Sequence, residues 1–213
     1  VNRKTEELFV YGASGHAKVV IDIIERQGLG KIGFLVDDNP TLKESDFFGY
    51  PVIGGRSDLL RHPKVVRGIV AIGSNQARIA VASWMTANGF ILETAIHPAA
   101  QVARGVTIGS GTVFMAGVVV NSDSRVGDNV IVNTGARIDH DCVVGNGVHI
   151  APGVILCGSV SIGDATFVCA GATVLPNLSL GSNVVVGAGS VVIRDIPDGM
   201  TVAGVPAKPV NRR

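Results

Sequence analysis

The sequence predicts a two-part chain, a small α/β domain over residues 1–95 followed by an all-β parallel β-helix of hexapeptide repeats over residues 96–213. Three observations carry the prediction. A bulky apolar residue recurs at every sixth position without a slip, from Val102, Ile108, Phe114 and Val120 through to Leu180, Val186 and Val192. Small or branched residues hold the fifth position of the same hexads, as at Val106, Thr112, Val118 and Ser124. Ahead of Val102 the pattern is instead apolar strand, glycine turn, helix and strand.

The N-terminal elements follow in order. Leu8 to Ala13 reads as a buried strand, His16 to Arg26 as a helix, Ile32 to Asp38 as a second strand, Val65 to Gly73 as a third, and Asn75 to Asn88 as a further helix. This alternation builds a small Rossmann-like parallel sheet, whose ligands belong at the carboxyl ends of its strands. In the second part, strand alternation alone would repeat every two residues and an amphipathic helix about every 3.6, so neither explains a lead that returns at the sixth. Three short strands and three corners make one coil of eighteen residues, the pattern of a parallel β-helix. Gly109, Gly127, Gly145, Gly163, Gly181 and Gly187 hold second positions, where a backbone turning a corner is expected to need freedom in φ.

Composition narrows the function classes. The net charge of +1 gives no argument for nucleic acid or an anionic membrane as partner. No apolar run approaches the length of a membrane span, and the opening residues VNRKTEELFV carry no signal-peptide stretch, so a cytoplasmic protein is expected. Cys142, Cys157 and Cys169 lie inside the repeat without a CxxC and read as packing residues. With His140, His149 and His97 as the available histidines, and no closely spaced His pair, no metal site is expected.

Three strand ends offer candidate ligand contacts. Gly12-Ala13-Ser14-Gly15-His16 opens a helix whose N-terminal amides can hold a phosphate. Asp37-Asp38 offers carboxylates to N–H donors or sugar hydroxyls, and Gly73-Ser74-Asn75 is a small polar exit that allows close approach. Each segment alone also fits ordinary turn and cap residues; three at strand ends favour a nucleotide-type ligand. Within the repeat, His140 sits between Asp139 and Asp141. A neighbouring carboxylate fixes an imidazole's tautomer and stabilises its protonated form, which suits a general base, although a solvated histidine in a charged corner has the same sequence. His149 follows nine residues later, half a coil, and so belongs on the opposite side of the prism. A cyclic trimer would bring His140 of one subunit to His149 of the next. Ala170 and Ala188 lie eighteen apart and stack on one edge, along which a long flexible ligand can lie.

Taken together, YGASGHAK (Tyr11 to Lys18), FLVDD (Phe34 to Asp38), AIGSN (Ala71 to Asn75), IHPAA (Ile96 to Ala100), VNTGARIDHDCVVG (Val132 to Gly145), VLPN (Val174 to Asn177) and AGVPAK (Ala203 to Lys208) resemble the left-handed β-helix sugar acyltransferases. These include sialic-acid O-acetyltransferases, bacillosamine N-acetyltransferases and perosamine N-acetyltransferases. The resemblance implies a left-handed coil, a homotrimer with sites between subunits, acetyl-CoA as donor without a metal, a nucleotide-linked amino sugar as acceptor, and a place in glycan or O-antigen biosynthesis. It implies His140 as catalytic base and Asp141 as its carboxylate partner, where the family often has Glu. Asn133 matches a residue near the acceptor sugar. Ser14, Gly15, His16, Asp37, Asp38 and Gly73 match the nucleotide-sugar pocket, and His149, Ala170 and Ala188 match acetyl-CoA contacts. Within that family, N-acetylation of GDP-perosamine stands first, a UDP-linked 4-amino sugar second, and sugar O-acetylation or a non-catalytic scaffold are the alternatives. Lys208, Arg212 and Arg213 are candidates for the CoA phosphates or a solvated basic tail.

Overall fold

The computed structural model describes residues 7–210, so Arg212 and Arg213 lie outside the described residues. The chain forms two compact units on either side of the Pro98–Ala99 junction. The first runs β1 (Glu7–Tyr11), α1 (Gly15–Gln27), β2 (Lys31–Val36), β3 (Asp46–Phe47), β4 (Tyr50–Pro51), α2 (Arg56–Leu59), β5 (Arg67–Val70), α3 (Asn75–Ala87) and β6 (Ile91–Leu92). Its sheet is parallel in the order β2-β1-β5-β6.

The helix α1 forms because Ala17, Val20, Ile21 and Ile24 recur at helical spacing and are all buried. Gly28 ends it in the left-handed region, φ 66°, with its N–H donating to the carbonyls of Ile24 and Glu25. In the core, Phe9 stacks on Phe34 at 5.9 Å, and its ring covers Gly68, where any Cβ would collide with it. The hairpin β3–β4, the short α2 and β6 lie in aperiodic stretches and are additions to the predicted elements. The third strand is also shorter than the apolar run from Val65 to Gly73 implies.

The second unit is a solenoid of two-residue parallel strands stacked in three ladders, ended by the three-residue strand Thr201–Ala203 and its antiparallel partner Lys208–Pro209. The first ladder carries Ile131–Val132, His149–Ile150 and Phe167–Val168; the second, Arg137–Ile138, Ile155–Leu156 and Thr173–Val174; the third, Arg125–Val126, Val143–Val144 and Ser161–Ile162. Each of these pairings joins residues eighteen apart, as in Ile131 with His149 and Ile155 with Thr173. The hexad leads point inward: Phe114, Val120, Val132, Ile150, Leu156, Val168, Val174, Val186 and Val192 are completely buried. Val102, 40% exposed, departs from the pattern because it belongs to the first strand of its ladder, which has a neighbour on one side only. Ile108, at the equivalent end of the third ladder, is half-buried for the same reason.

The second-position glycines serve a different purpose from the one predicted. None of Gly109, Gly127, Gly145, Gly163, Gly181 and Gly187 has a positive φ; the left-handed residues fall at the fourth position of the hexads, among them Gly135, Asp141, Gly153 and Ser159. A Cβ on Gly163 would stand 2.5 Å from the carbonyl carbon of Gly181 in the next coil, and one on Gly127 would stand 3.0 Å from that of Gly145. These glycines let successive coils stack closely, a demand of packing rather than of torsion.

No helix among the described residues is long and apolar enough to cross a membrane. The three cysteines are free thiols, with Cys142 buried and Cys157 and Cys169 half-buried.

Candidate active site

The catalytic candidate His140 lies on the edge between the second and third ladders, after Arg137–Ile138 and before Val143–Val144. Its Nδ1 is 2.8 Å from Oδ2 of Asp141, and both side chains are more than half exposed. Facing a carboxylate, Nδ1 carries the proton and leaves the Nε2 lone pair free to accept one. The hydrogen bond to Asp141, and then the charge of Asp139, raise the imidazole's pKa above its ordinary value. Asp141 itself has φ 59°, a left-handed conformation that aspartate tolerates better than most residues.

Several groups hold this corner. Oδ1 of Asp139 accepts an N–H from the Asn121 side chain at 2.7 Å and the His140 backbone N–H at 2.9 Å. Those two bonds hold the Asp139 carboxyl below its usual range. The buried Ser124 hydroxyl donates to the Asp139 carbonyl at 2.7 Å and accepts the Cys142 N–H at 3.1 Å, gripping both ends of the Asp139–Cys142 turn. A groove of about 210 Å³ opens beside the corner, lined by residues including Val119, Asn121, Asp139, Ile155 and Cys157.

His149 and Asn133 belong to the first ladder and its exit, so within one chain they lie away from the His140 edge. They touch each other: Asn133 Nδ2 is 3.2 Å from His149 Nε2, and the imidazole stacks on Phe167 with ring centroids 4.9 Å apart. Ala170 and Ala188 stack on the edge between the first and second ladders, both exposed. On that edge Gly153, Gly171 and Gly189 are left-handed, and a Cβ on any of them would meet nothing within 4 Å. The result is a low, open track that an extended chain can follow.

In the first unit the glycine turn leads from β1 into α1. Gly12, φ 116°, passes so close to β5's exit that a Cβ would stand 2.7 Å from the Ala71 carbonyl oxygen. Gly15 and Gly73 face open space, and the cap residue Ser14 makes no side-chain hydrogen bond to the helix end. His16 is deeply placed, its Nε2 is buried without a hydrogen-bond partner, and burial with the nearby Arg78 charge lowers its pKa to about 4. It is therefore a neutral imidazole with an unused nitrogen. Arg78, almost fully buried, donates to the carbonyls of Ile72 and Gly73 and to Asn75 Oδ1, which fixes the third strand exit.

The two aspartates differ. Asp37 accepts the N–H groups of Ala13 and Asn39 on its two oxygens, tying the glycine turn to β2's end. Asp38 pairs with Arg56 at 3.2 Å. Arg56 also donates to the Tyr11 hydroxyl at 3.1 Å and lies over the Trp84 ring, 5.3 Å from its centroid. Sequence reading missed Arg56 because α2 sits in an aperiodic loop. It missed Asn121 for a different reason: it lies one coil before Asp139, and the eighteen-residue register was enough to find it.

Residues 7–85 match the PglD N-terminal domain family, and residues 123–158 and 159–194 match the bacterial transferase hexapeptide family of six repeats. A histidine-to-asparagine variant of perosamine N-acetyltransferase from Caulobacter crescentus, solved with CoA and GDP-perosamine, is 40% identical with a TM-score of 0.91, over 97% of each chain. The chain belongs to the hexapeptide-repeat sugar acetyltransferases that carry a PglD N-terminal domain. Another member of similar structure is the acetyltransferase domain of PglB from Neisseria gonorrhoeae in complex with acetyl coenzyme A, 41% identical with a TM-score of 0.88 over 97% of this chain and all of that one. The UDP-N-acetylbacillosamine N-acetyltransferase of Bacillus subtilis is 35% identical over 110 residues, a match spanning about half of each protein. Among the described residues of this acetyltransferase no group of three His, Cys, Asp or Glu side chains is placed to hold a metal ion.

Proposed function

We propose that the protein transfers an acetyl group from acetyl-CoA to the 4-amino group of a nucleotide-linked 4-amino-4,6-dideoxy sugar, with GDP-perosamine the first choice and a UDP-linked sugar the second. The observation that carries this reading is His140, whose Nδ1 is engaged by Asp141 while Nε2 stays available at an exposed corner beside a groove. The complexes of relatives with CoA, GDP-perosamine and acetyl-CoA support the substrate classes.

The amine attacks the thioester carbonyl carbon directly, forming the C–N bond and a tetrahedral oxyanion. His140 Nε2 takes the proton that the attacking nitrogen must lose, and Asp141 steadies the resulting imidazolium. Collapse breaks the C–S bond, and the departing thiolate recovers the proton from His140 to leave as CoA. No covalent enzyme intermediate is needed. In the first unit, Ser14, Gly15, His16, Asp38 and Gly73 receive the nucleotide part; Asp37 serves this pocket by holding its backbone. The open edge at Ala170 and Ala188 receives the pantetheine arm. A homotrimer, with His149 and Asn133 supplied by the neighbouring subunit, completes the site at His140, and a solution mass about three times 21.9 kDa is expected.

The test offers acetyl-CoA with GDP-perosamine and with a UDP-4-amino-4,6-dideoxy sugar in parallel, reading CoA release and product mass. The gain of one acetyl group on either nucleotide sugar supports the reading and names the nucleotide. Inactivity on both, with turnover on a sugar hydroxyl such as that of sialic acid, overturns it.

A further inference from the structure

Gly158 lies one coil beyond His140 on the same edge, at the third position of its hexad, and it is buried. Its backbone does not require glycine, because its φ is outside the left-handed region that side chains avoid. Space does require it. A Cβ at this position would stand 2.7 Å from both Cε1 and Nε2 of His140 and 3.3 Å from Nδ1. The third-position residues along this edge are Arg104, Ser122, His140, Gly158, Pro176 and Arg194, so the one residue without a side chain lies where the imidazole rests.

The backbones on either side are fixed. Ser159 N–H donates to the His140 carbonyl at 2.9 Å, and Asn177 N–H donates to the Gly158 carbonyl at 3.0 Å. If a methyl group appeared at residue 158, these ladders would hold and the imidazole, free to turn about its own side-chain bonds, would move. The turn would carry Nδ1 away from Asp141 and displace Nε2, the atom that takes the proton.

We propose that Gly158 is a positioning residue for the acetyl transfer, its missing side chain forming the floor on which the His140 imidazole lies in register with Asp141. This rests on the reading of His140 as the general base.

The experiment places Gly158→Ala in the otherwise unchanged enzyme and in a His140→Ala background, and follows kcat, KM, the pH profile and thermal melting. In the unchanged background, kcat falls by about tenfold to a hundredfold, as for a reacting group moved by roughly an ångström. KM for both substrates stays within about twofold, and the acid limb of the pH profile moves to lower pH as the Asp141 contact loosens. In the His140→Ala background the same change has no further effect on kcat. A kcat near that of the parent in the unchanged background, or an equal fold loss in both, overturns the proposal. A His140→Ala enzyme that turns over normally sinks the general-base reading instead. Melting of the double variant at or above that of Gly158→Ala alone shows that the alanine is tolerated once the ring is gone; a larger loss of melting temperature there, indicating a backbone clash, counts against the proposal.

Discussion

The two units bury different kinds of polar group. Among the described residues, the buried charged side chains Arg67, Arg78 and Glu93 all belong to the first unit, whereas the buried serines and threonines, Thr112, Ser124, Thr166 and Ser190, all belong to the β-helix. An α/β layer has strand ends and helix ends whose carbonyls need donors, and a guanidinium such as Arg78 reaches several at once. Burial lowers the Arg78 pKa to about 10, a cost the fold accepts in return for a fixed Ile72–Asn75 exit. The β-helix has no comparable ends inside. Its fifth-position hydroxyls bridge coils through one donated and one accepted bond, as Thr166 does to the Gly181 carbonyl at 2.7 Å and the Val184 N–H at 3.0 Å. Buried charged side chains that reach across elements therefore mark the first unit, and a repeated local hydroxyl bridge marks the second.

The greatest loss of stability follows from the Arg67–Glu93 pair, 2.6 Å apart and buried. Glu93→Ala removes the buried carboxylate that faces the Arg67 guanidinium and is expected to cost about 3–5 kcal/mol. Urea unfolding should show that loss in the first unit's transition, with the β-helix transition unmoved; a shift shared by both transitions would undo the contrast between the units.

His16 comes next. Its pKa is about 6.5 unfolded and about 4 folded, so the unfolded chain binds more protons between those values. Its contribution is complete above pH 6.5 and is lost as the pH falls toward 4, by on the order of 3 kcal/mol. Replacing it by Asn should flatten the acid side of the first unit's stability curve, and a curve that keeps its slope would contradict the buried neutral imidazole.

In the β-helix, Ser124→Ala leaves the Asp139 carbonyl and Cys142 N–H without their side-chain partner, at a cost of about 1–3 kcal/mol. The second transition should fall by that amount while the first stays put.

Asp141→Asn barely touches stability and is the most informative of the four on chemistry. The hydrogen bond to Asp141 is the largest cause of the raised His140 pKa, so its loss moves that pKa down. Because the base works unprotonated, the acid limb of kcat/KM shifts to lower pH in the variant while the plateau drops through loss of the fixed tautomer. An acid limb that stays in place would remove Asp141 from the role given to it.

The same contrast governs what the sequence reveals. The β-helix is legible because a side-chain period of six survives in the primary structure, and the register of eighteen predicts which residues stack. The second-position glycines invite a torsional explanation because the sequence displays a missing side chain without displaying the coil pressed against it. In the first unit, α1 and α3 are legible from their apolar spacing, while the β3–β4 hairpin and Arg56 lie in a stretch with no period to read. At the site, Asp139-His140-Asp141 stands out as a local run, but the Asn121 bond, the Ser124 clamp and the Gly158 floor depend on neighbours a coil away. Asp37 shows the opposite case, a carboxylate conspicuous in sequence whose two oxygens are engaged by backbone N–H groups in the fold.

The decisive measurement compares His140→Asn with the parent enzyme, using acetyl-CoA and the preferred nucleotide-linked amino sugar at saturating concentrations. Loss of the general base should lower kcat by roughly 10²- to 10⁴-fold, with KM for both substrates little changed and the fold intact by melting. A variant that acetylates the sugar at close to the parent rate would contradict the assignment of His140.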